Sequence, residues 1–477
     1  MSAPPGPPHA VPLRRATLPS LAGSVSVPSY DARDLRPGVI HLGLGSFARA
    51  HVAVYLDRLA ESGVSHDWGL VGSGLRTAAA GAVLRRQDNL WTVVDPGSGR
   101  ARVVGALQDY VDAATAATPL LDRLTDPRTQ LVTLTLTAPA YEAHGDTEHR
   151  GAPPGWRAFR LVAEALRLRR AAGTAPFTVL SCDNLADNGL ATRRAVVAAA
   201  EAMSPGLASW VDSSVAFPSS MVDRITPATS ELQRRMLRHS HGVTDDLAIF
   251  PEPFSQWVVA DEFSGDRPPW EEVGVQLVTD VRPFVQAKTR MLNGAHVMLG
   301  YLGARAGHHT TAEAMADPRV GRLVDRLMRD EVTPTLREAP LDVGSYRQAV
   351  RARLADDRVA DSLERLRRRG STRIANYVVP TLREALTSGT ECTVLTMTIA
   401  AWIDHLCAVG TSRPGLAALV DPLAEELVPL ARIAVLDPRP LLGRSEIFGD
   451  LGLHPRFPSA LRGAVAELRE GDRTVAS

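Results

Sequence analysis

A single lysine is the most chemically informative residue of this sequence. Lysine and arginine together number 53 among the 477 residues, and Lys288 is the only lysine. An arginine guanidinium stays protonated at physiological pH, whereas a lysine amine can act as a general base when desolvation and neighbouring cations lower its pKa. Lys288 therefore indicates proton transfer rather than a bare positive charge. The alternative is that Lys288 is a chance remnant of arginine-for-lysine replacement in a GC-rich genome.

Two further polar residues follow Lys288 in a stretch that predicts a helix. At 100° per residue, Asn293 lies about 140° and His296 about 80° from Lys288, so the three share one arc. Lys288 would take the proton of an alcohol, Asn293 would hold the alkoxide and His296 would orient the substrate hydroxyl. On its own, His296 would be interpreted as a core histidine; its neighbours favour the catalytic interpretation.

A glycine-rich turn lies between a predicted strand and a predicted helix. Its residues Gly43, Leu44, Gly45, Ser46, Phe47 and Ala48 match the pattern G-x-G-x-x-[GA]. Such glycines let the backbone approach a pyrophosphate, and the helix N-terminus supplies amide donors. We expect Gly43, Gly45, Ser46, Phe47 and Ala48 to bind a dinucleotide. The alternative is a purely structural turn.

The acid that would select NAD is absent from its usual place. An acidic residue about 20 residues after the turn normally holds the ribose hydroxyls of NAD. Here the second predicted strand runs into Ser73-Gly-Leu-Arg76. Arg76 could instead meet the 2′-phosphate of NADP. NAD is the expected cofactor, and NADP stays open.

Another polar residue follows a later strand. Ser181-Cys-Asp-Asn184 comes directly after the predicted strand at 177–181, so Asn184 would project into the ligand crevice and donate to a developing alkoxide. The alternative is an Asx turn that caps the next helix. Asn188-Gly189 suits that structural role better than Asn184 does.

The order of predicted elements indicates two domains. Strands alternate with helices in the N-terminal part, which predicts an α/β fold with a doubly wound, Rossmann-type sheet. From about residue 286 only helical patterns follow one another, separated by Pro and Gly. We expect a flexible leader at 1–35, a Rossmann dinucleotide-binding domain at 36–285 and a mostly α-helical substrate domain at 286–477. The site would lie at the seam between the two domains.

Composition excludes several classes of partner. The net charge is zero and 22% of residues are charged, so no general attraction to nucleic acid or anionic membrane is implied. The three cysteines show no CxxC spacing, and no HExxH or similar metal-ligand cluster occurs. The longest weakly polar run, 392–403, is too short to cross a bilayer. We therefore expect a metal-free cytoplasmic protein that binds a small molecule.

Six blocks resemble the mannitol dehydrogenase family, in family order. They are the glycine turn ending in Arg49-Ala-His51, Ser181-Cys-Asp-Asn184, Phe217-Pro-Ser-Ser-Met-Val-Asp-Arg-Ile-Thr-Pro227, Glu252-Pro-Phe-Ser-Gln-Trp257, Lys288-x4-Asn293-x2-His296 and Ile447-Phe-Gly-Asp450. The resemblance implies a Rossmann domain followed by a helical domain. It also implies hydride transfer, without a metal, between a polyol carbon and a nicotinamide.

The resemblance also implies roles for single residues. It makes Lys288 the general base, with Asn184 and Asn293 as the oxyanion pair. On the substrate side it places His296, Asp223 and Arg373. Asp223 and Arg373 rest on the resemblance alone, because a lone Asp or Arg in a loop carries no other signal.

The sequence departs from the family pattern at three places. Val285 stands where the family often has a glutamate, which leaves a proton relay through that acid open. Thr137-Ala-Pro-Ala-Tyr141 replaces Thr-Glu-x-Gly-Tyr, and Asn376-Tyr-Val-Val replaces an Asn-Pro block after Arg373. These changes bear on the substrate pocket more than on the chemistry.

The leading hypothesis is an NAD(P)-dependent oxidoreductase that interconverts a polyol, such as mannitol or arabinitol, and its 2-ketose. Alternatives within the class are a fructuronate or tagaturonate reductase, which acts on sugar acids, and a mannitol-1-phosphate 5-dehydrogenase. A carboxylate or phosphate would require arginines in the pocket. From another class, a catalytically silent nucleotide-binding sensor is disfavoured by the intact polar set around Lys288.

Overall fold

The computed structural model describes residues 10–75, 79–114, 116–141, 155–336, 341–359, 361–409 and 421–475. The chain forms two compact units, Met1–Arg282 and Pro283–Ser477. The strands of the described residues all belong to the first unit: β1 (Val11–Pro12), β2 (Pro37–Leu42), β3 (Gly69–Gly74), β4 (Trp91–Val94), β5 (Ala101–Val104), β6 (Leu107–Asp112), β7 (Leu131–Leu134), β8 (Thr178–Ser181), β9 (Ser220–Asp223), β10 (Val243–Thr244), β11 (Gln256–Ala260) and β12 (Gln276–Val278).

A five-stranded parallel sheet forms the centre of the first unit. Its strand order is β6-β3-β2-β7-β8. From β2 the chain moves outward through β3 to β6, and then returns to the other side of β2 for β7 and β8. The crevice at the carboxyl ends of β2 and β7 is therefore the switch point of the sheet, where ligands bind in such folds. The predicted α/β, Rossmann-type fold is confirmed.

Helices on both sides bury the strands, which explains why the strands are apolar along their length. Val39, Ile40, Leu42 and their neighbours in β2 are almost fully buried, as expected for a parallel strand with both faces covered. The α-helices of this unit are Leu18–Leu21, Ser46–Ala50, Val52–Glu61, Ala79–Arg86, Thr118–Thr125, Trp156–Ala171, Asn188–Glu201, Pro205–Ser214 and Glu231–His241.

Smaller pairings complete the first unit. Strand β11 pairs antiparallel with β9 and parallel with β12, and β4 and β5 form an antiparallel pair. In the first of these sheets Gln256 lies opposite Asp223. This pairing fixes the strand that ends in Asp223.

The predicted leader is wrong from about residue 10 onward. Strand β1 pairs in parallel with β10, and Leu13, Leu21 and Val25 are buried in one apolar cluster with residues of β4, β5 and β10. Burial of these three apolar side chains favours an ordered segment over a flexible one. Residues 1–9 of the predicted leader lie outside the described residues.

The second unit is helical throughout the part of it that the structure describes. Its α-helices are Gly294–Met298, Thr311–Ala316, Pro318–Arg326, Val343–Leu354, Leu363–Arg367, Gly370–Arg373, Val379–Thr387, Thr393–Val409, Ala424–Ala434, Arg439–Leu442, Ser445–Phe448 and Phe457–Val475, and Arg282–Ala287 joins the two units. Four segments adopt the wider π-helix: Lys288–Asn293, Leu299–Gly303, Leu327–Val332 and Ile374–Val378. No helix of the described residues is both long and apolar enough to cross a membrane.

A buried carboxylate caps the most apolar helix of the second unit. Glu331 accepts hydrogen bonds from the amides of Val394 (2.7 Å) and Leu395 (2.9 Å), in the first turn of Thr393–Val409. The first amides of a helix have no partner within the helix, and a negative charge there is favourable. Glu331 thus ties two distant segments together.

We expect Glu331→Gln to lower the free energy of unfolding by about 1–3 kcal/mol, because the amide leaves one buried helix donor without an acceptor. The melting temperature by calorimetry measures this loss. The control is Glu364→Gln, which removes an exposed ion pair with Arg368 in the same unit and should cost under about 0.5 kcal/mol. Equal losses in the two variants would contradict the capping role.

Candidate active site

The turn after β2 is shaped by one close backbone approach. Gly43 has φ +95°, and a Cβ placed there would lie 2.3 Å from the carbonyl oxygen of Thr135. Only glycine fits this conformation and this space. Gly43 and Leu44 both donate their amides to the carbonyl of Ser73, at 2.9 and 3.1 Å. The turn is therefore held against the ends of β3 and β7.

A buried histidine on β2, the strand before the turn, also supports it. Thr135 donates its hydroxyl to the Gly43 carbonyl at 2.7 Å, so its oxygen accepts from Nε2 of His41 at 2.9 Å. Nδ1 of His41 lies 2.8 Å from the hydroxyl of Thr133. Burial lowers the pKa of His41 to about 3, which keeps the ring neutral. A neutral ring can donate at one nitrogen and accept at the other, as this arrangement requires.

The residues that follow the turn fit a dinucleotide phosphate. A Cβ on Gly45 would meet no atom nearer than 3.7 Å, so space is open above the turn. Gly45 and Ser46 are exposed at the start of the helix Ser46–Ala50, and the ring of Phe47 stacks on His51 with centroids 5.0 Å apart. Ala48 is fully buried and lets the helix pack closely. Arg76, suggested for NADP, lies outside the described residues.

Two asparagines follow the carboxyl end of β8 and differ in their surroundings. Asn188 is buried, donates Nδ2 to the carbonyls of Asp183 (3.0 Å) and Ser220 (2.9 Å), and accepts from the amide of Ser220 (2.9 Å). Asn184 is exposed in the same loop. Asn188 therefore takes the structural role, and Asn184 keeps an exposed side chain at the end of the strand.

Asp223 ends β9 and is buried, and its neighbours hold it rigidly. Glu252 accepts from the amide of Ile225 (2.5 Å), while Arg224 donates to the carbonyls of Glu252 (3.1 Å) and Ala50. Burial lowers the pKa of Arg224 to about 10. These contacts link the end of β9 to the end of the helix Ser46–Ala50. Among the predicted residues, Asp223 and Asn184 thus belong to the first unit.

The second unit carries the remaining predicted residues. Lys288, Asn293 and His296 are 7%, 8% and 6% exposed. The predicted angles between them are wrong, because Lys288–Asn293 is π-helical: the amide of Gly294 reaches the carbonyl of Thr289, five residues back. A π turn holds more residues than an α turn, so Lys288 and Asn293 lie closer in azimuth than 140°. Such π segments are frequent at functional sites.

Asn293 has an unusual hydrogen-bonding state. Its Nδ2 is buried and has no hydrogen-bond partner within the described residues. A buried donor without an acceptor costs free energy, and each case in a native structure calls for an explanation. A substrate oxygen would supply the missing acceptor.

His296 lies in a charged environment that the sequence did not indicate. Its Nε2 is 3.9 Å from Oδ2 of the buried Asp361, and Arg365 donates to Asp361 through both Nε (2.7 Å) and Nη2. Burial lowers the pKa of His296 to about 3, opposed by Asp361 and assisted by Arg365. The ring is therefore neutral. Asp361 lies in a loop outside any motif, and no local pattern could have identified it.

Arg373 ends a short helix near this group. Its Nε donates to the carbonyl of Arg368 at 2.9 Å, and burial lowers its pKa. Its positive charge contributes to the lowered pKa of His296. The structure thus brings Arg373 and His296 within electrostatic range of each other. Within the described residues, no group of three or more His, Cys, Asp or Glu could hold a metal ion, and Cys182, Cys392 and Cys407 are free thiols.

Known proteins match both units of the chain. Residues 37–272 match the family description "Mannitol dehydrogenase Rossmann domain", and residues 280–469 match "Mannitol dehydrogenase C-terminal domain". The chain is 38% identical to mannitol 2-dehydrogenase of Cereibacter sphaeroides, over 95% of this chain and 98% of that protein. It is 35% identical to mannitol 2-dehydrogenase of Phaeosphaeria nodorum, over 95% and 83% of the two chains.

Solved structures agree with the sequence matches. A ternary complex of Pseudomonas fluorescens mannitol 2-dehydrogenase with NAD and D-mannitol superposes with a TM-score of 0.86, at 35% identity and 98% coverage of both chains. A substrate-free D-sorbitol dehydrogenase gives a TM-score of 0.83, at 31% identity and coverage of 97% and 98%. The resemblance inferred from the sequence is confirmed: the chain belongs to the mannitol dehydrogenase family.

Proposed function

We propose that this protein is an NAD(P)-dependent oxidoreductase that interconverts a polyol and its 2-ketose. The observation that carries the proposal is the helix on which the only lysine, Lys288, is buried beside Asn293, whose amide donor has no acceptor among the described residues. A general base and an oxyanion donor are the two groups that oxidation of an alcohol requires from a protein.

The turn after β2 supports binding of a nicotinamide dinucleotide. Gly43, Gly45, Ser46, Phe47 and Ala48 would hold it, since space is open above Gly45 and the first amides of the helix Ser46–Ala50 have no acceptor within the helix. When bound, the nicotinamide exchanges a hydride with the carbon that bears the alcohol. NAD is favoured because the related Pseudomonas fluorescens structure contains NAD; NADP stays open.

Lys288 is proposed as the general base. Its side chain is almost fully buried, and a lysine amine can accept a proton, which an arginine guanidinium cannot. In the oxidation direction the amine takes the hydroxyl proton of the polyol, and in the reduction direction the ammonium returns it to the ketose oxygen. Since the amine provides this function, the proposal includes no metal ion.

Asn293 and Asn184 are proposed to hold the oxygen on which negative charge develops. The buried Nδ2 of Asn293 is oriented by the helix before substrate arrives, so no reorganisation is needed when charge appears. His296, which is neutral, would orient a substrate hydroxyl, and Asp223 and Arg373 would bind other hydroxyls.

The substrate is proposed to be an uncharged polyol such as mannitol or arabinitol. The relatives at 33–38% identity are named for mannitol. A sugar acid such as fructuronate or tagaturonate is the second candidate, because Arg353, Arg365 and Arg373 all contribute to the lowered pKa of His296, against Asp361. Excess positive charge near the substrate would favour a carboxylate or phosphate. The three free cysteines agree with a cytoplasmic location.

Consumption of NADH and NADPH at 340 nm tests this function. We expect turnover with fructose and NADH, and lower kcat/KM with fructuronate, tagaturonate and fructose 6-phosphate. A preference for a sugar acid would replace the polyol by the second candidate. No turnover with any of the four, together with NADH binding, would overturn the enzyme proposal in favour of a nucleotide sensor.

Two substitutions of Lys288 test whether it acts as a general base or only as a positive charge. Lys288→Ala should reduce kcat by roughly 10²–10⁴-fold, because no other group takes the proton. Lys288→Arg should lose as much, since a guanidinium keeps the charge and cannot be deprotonated. Dissociation constants for NADH, from quenching of tryptophan fluorescence, should stay within about twofold of the wild type for both. Activity retained in Lys288→Arg would refute the base assignment.

The neutral state of His296 predicts a pH effect on stability. The unfolded histidine protonates below about pH 6.5, whereas the folded one stays neutral down to about pH 3. Acid therefore favours the unfolded state, and stability that is present above pH 6.5 is lost as the pH falls toward 3. His296→Gln should reduce the loss of unfolding free energy in acid by up to ~1.4 kcal/mol per pH unit.

Melting temperatures between pH 7 and pH 4 measure this slope. His309→Gln, at an exposed position of the same unit, is the control and should leave the slope of the wild type unchanged. If His296→Gln melts with the same pH dependence as the wild type, then His296 is not a buried neutral group.

A further inference from the structure

A buried carboxylate at the carboxyl edge of the sheet takes no part in the chemistry described above. Asp183 is 8% exposed and accepts four hydrogen bonds in all. The amide of Leu136 reaches both of its oxygens, at 3.0 and 2.9 Å, and the amide of Thr137 lies 2.8 Å from Oδ1. The hydroxyl of Tyr141 donates to Oδ2 at 2.6 Å. All the donors lie in the segment after β7.

This carboxylate explains an unusual backbone conformation. Thr137 has φ +75°, a region that a β-branched residue rarely adopts. Such a conformation persists only where the surrounding structure holds it, and clusters at functional sites. The two amides bonded to Asp183 are those of Thr137 and of the residue before it. Asp183 thus holds the segment in this conformation.

The same bonds connect Asn184 with the turn at residues 43–48, which is proposed above to bind the coenzyme and is called the coenzyme turn below. At one end, the residues after β7 begin with Thr135, whose hydroxyl donates to the carbonyl of Gly43 at 2.7 Å. At the other end, Asp183 directly precedes Asn184 in the chain. Tyr141 adds a second link, because its hydroxyl also lies 2.8 Å from Oγ of Ser181, the last residue of β8. The contacts run without a break across the ends of β2, β7 and β8.

We propose that Asp183 is a positioning residue, which with Tyr141 fixes Asn184 relative to the coenzyme turn so that its amide meets the developing alkoxide. This role rests on the proposed function, in which Asn184 is an oxyanion donor. Rate in such reactions depends on the alignment of donor and reacting oxygen, and a small displacement lowers kcat without weakening binding of the coenzyme.

Asp183→Asn tests the proposal with little change in volume. The amide keeps one acceptor and turns an NH₂ group toward backbone donors, so the bonds to Leu136 and Thr137 cannot all form. We expect kcat to fall by roughly tenfold or more, with the dissociation constant of NADH within about twofold of the wild type. Hydrogen exchange at the amides of Leu136 and Thr137 should accelerate, which reports the loss of the bonds independently of turnover.

A double-mutant cycle shows whether Asp183 acts through Asn184. In the Asn184→Ala background there is no amide left to position, so Asp183→Asn should lower kcat by no more than about twofold. Full additivity of the two losses would overturn the proposal, because Asp183 would then act on the reaction independently of Asn184.

A second tyrosine–aspartate pair supplies a matched control. Tyr30 donates to the buried Asp57 at 2.5 Å, and Asp57 also accepts from the amide of Gly105, just before β6 begins at the opposite edge of the sheet. Tyr141→Phe and Tyr30→Phe each remove one hydroxyl from a half-buried ring bonded to a buried carboxylate. We expect similar losses in melting temperature, but a loss of kcat only for Tyr141→Phe.

The outcomes distinguish this proposal from the function on which it rests. Equal kinetics for Tyr141→Phe and Tyr30→Phe would make Asp183 merely structural and overturn its positioning role. If the wild type turns over no substrate, the proposed function fails. Amide exchange would still test whether Asp183 holds the segment after β7. Unchanged exchange at Leu136 and Thr137 in Asp183→Asn would contradict this role, and faster exchange would support it.

Discussion

The backbone of Gly43 passes so close to the carbonyl of Thr135 that no side chain fits at residue 43. This approach joins the ends of β2 and β7, the two strands that flank the switch point of the sheet. It also fixes the direction in which the helix Ser46–Ala50 leaves the turn. The polar groups at this edge, from His41 below the turn to Asp183 beside it, are arranged around that one contact.

The proposed function rests on buried polar groups that a stable core would avoid. Lys288, Asn293 and His296 lie on a helix whose other side chains, such as Met291 and Val297, are fully buried. Burying an amine costs free energy, as does the amide donor of Asn293, which has no acceptor among the described residues; the large apolar core of the second unit offsets this cost. The wider π turn accommodates these polar residues on one side of the helix.

The sequence predicted the parts of the protein that local patterns determine. Apolar strands, the glycine turn and the unusual lysine follow from short stretches of residues, and the fold class followed from their order. The angles predicted around Lys288 were wrong because a π-helical turn cannot be recognised from the spacing of residues in the sequence. Asp183 and Asp361 could not be identified because Leu136 and Thr137, which bind Asp183, and His296, which faces Asp361, are distant from them in the sequence. A packed apolar segment after residue 10 was hidden by its proline-rich beginning.

The pairing of β1 with β10 bears on how the protein folds. Val11 lies beside Val243, so this strand has its partner far along the chain. Contacts of such separation form late, because the intervening loop must close first. The apolar cluster around Leu13, Leu21 and Val25, which includes residues of β4 and β5, is therefore completed only when β10 joins it. The pairing of β1 with β10 is thus expected to be a late step in folding.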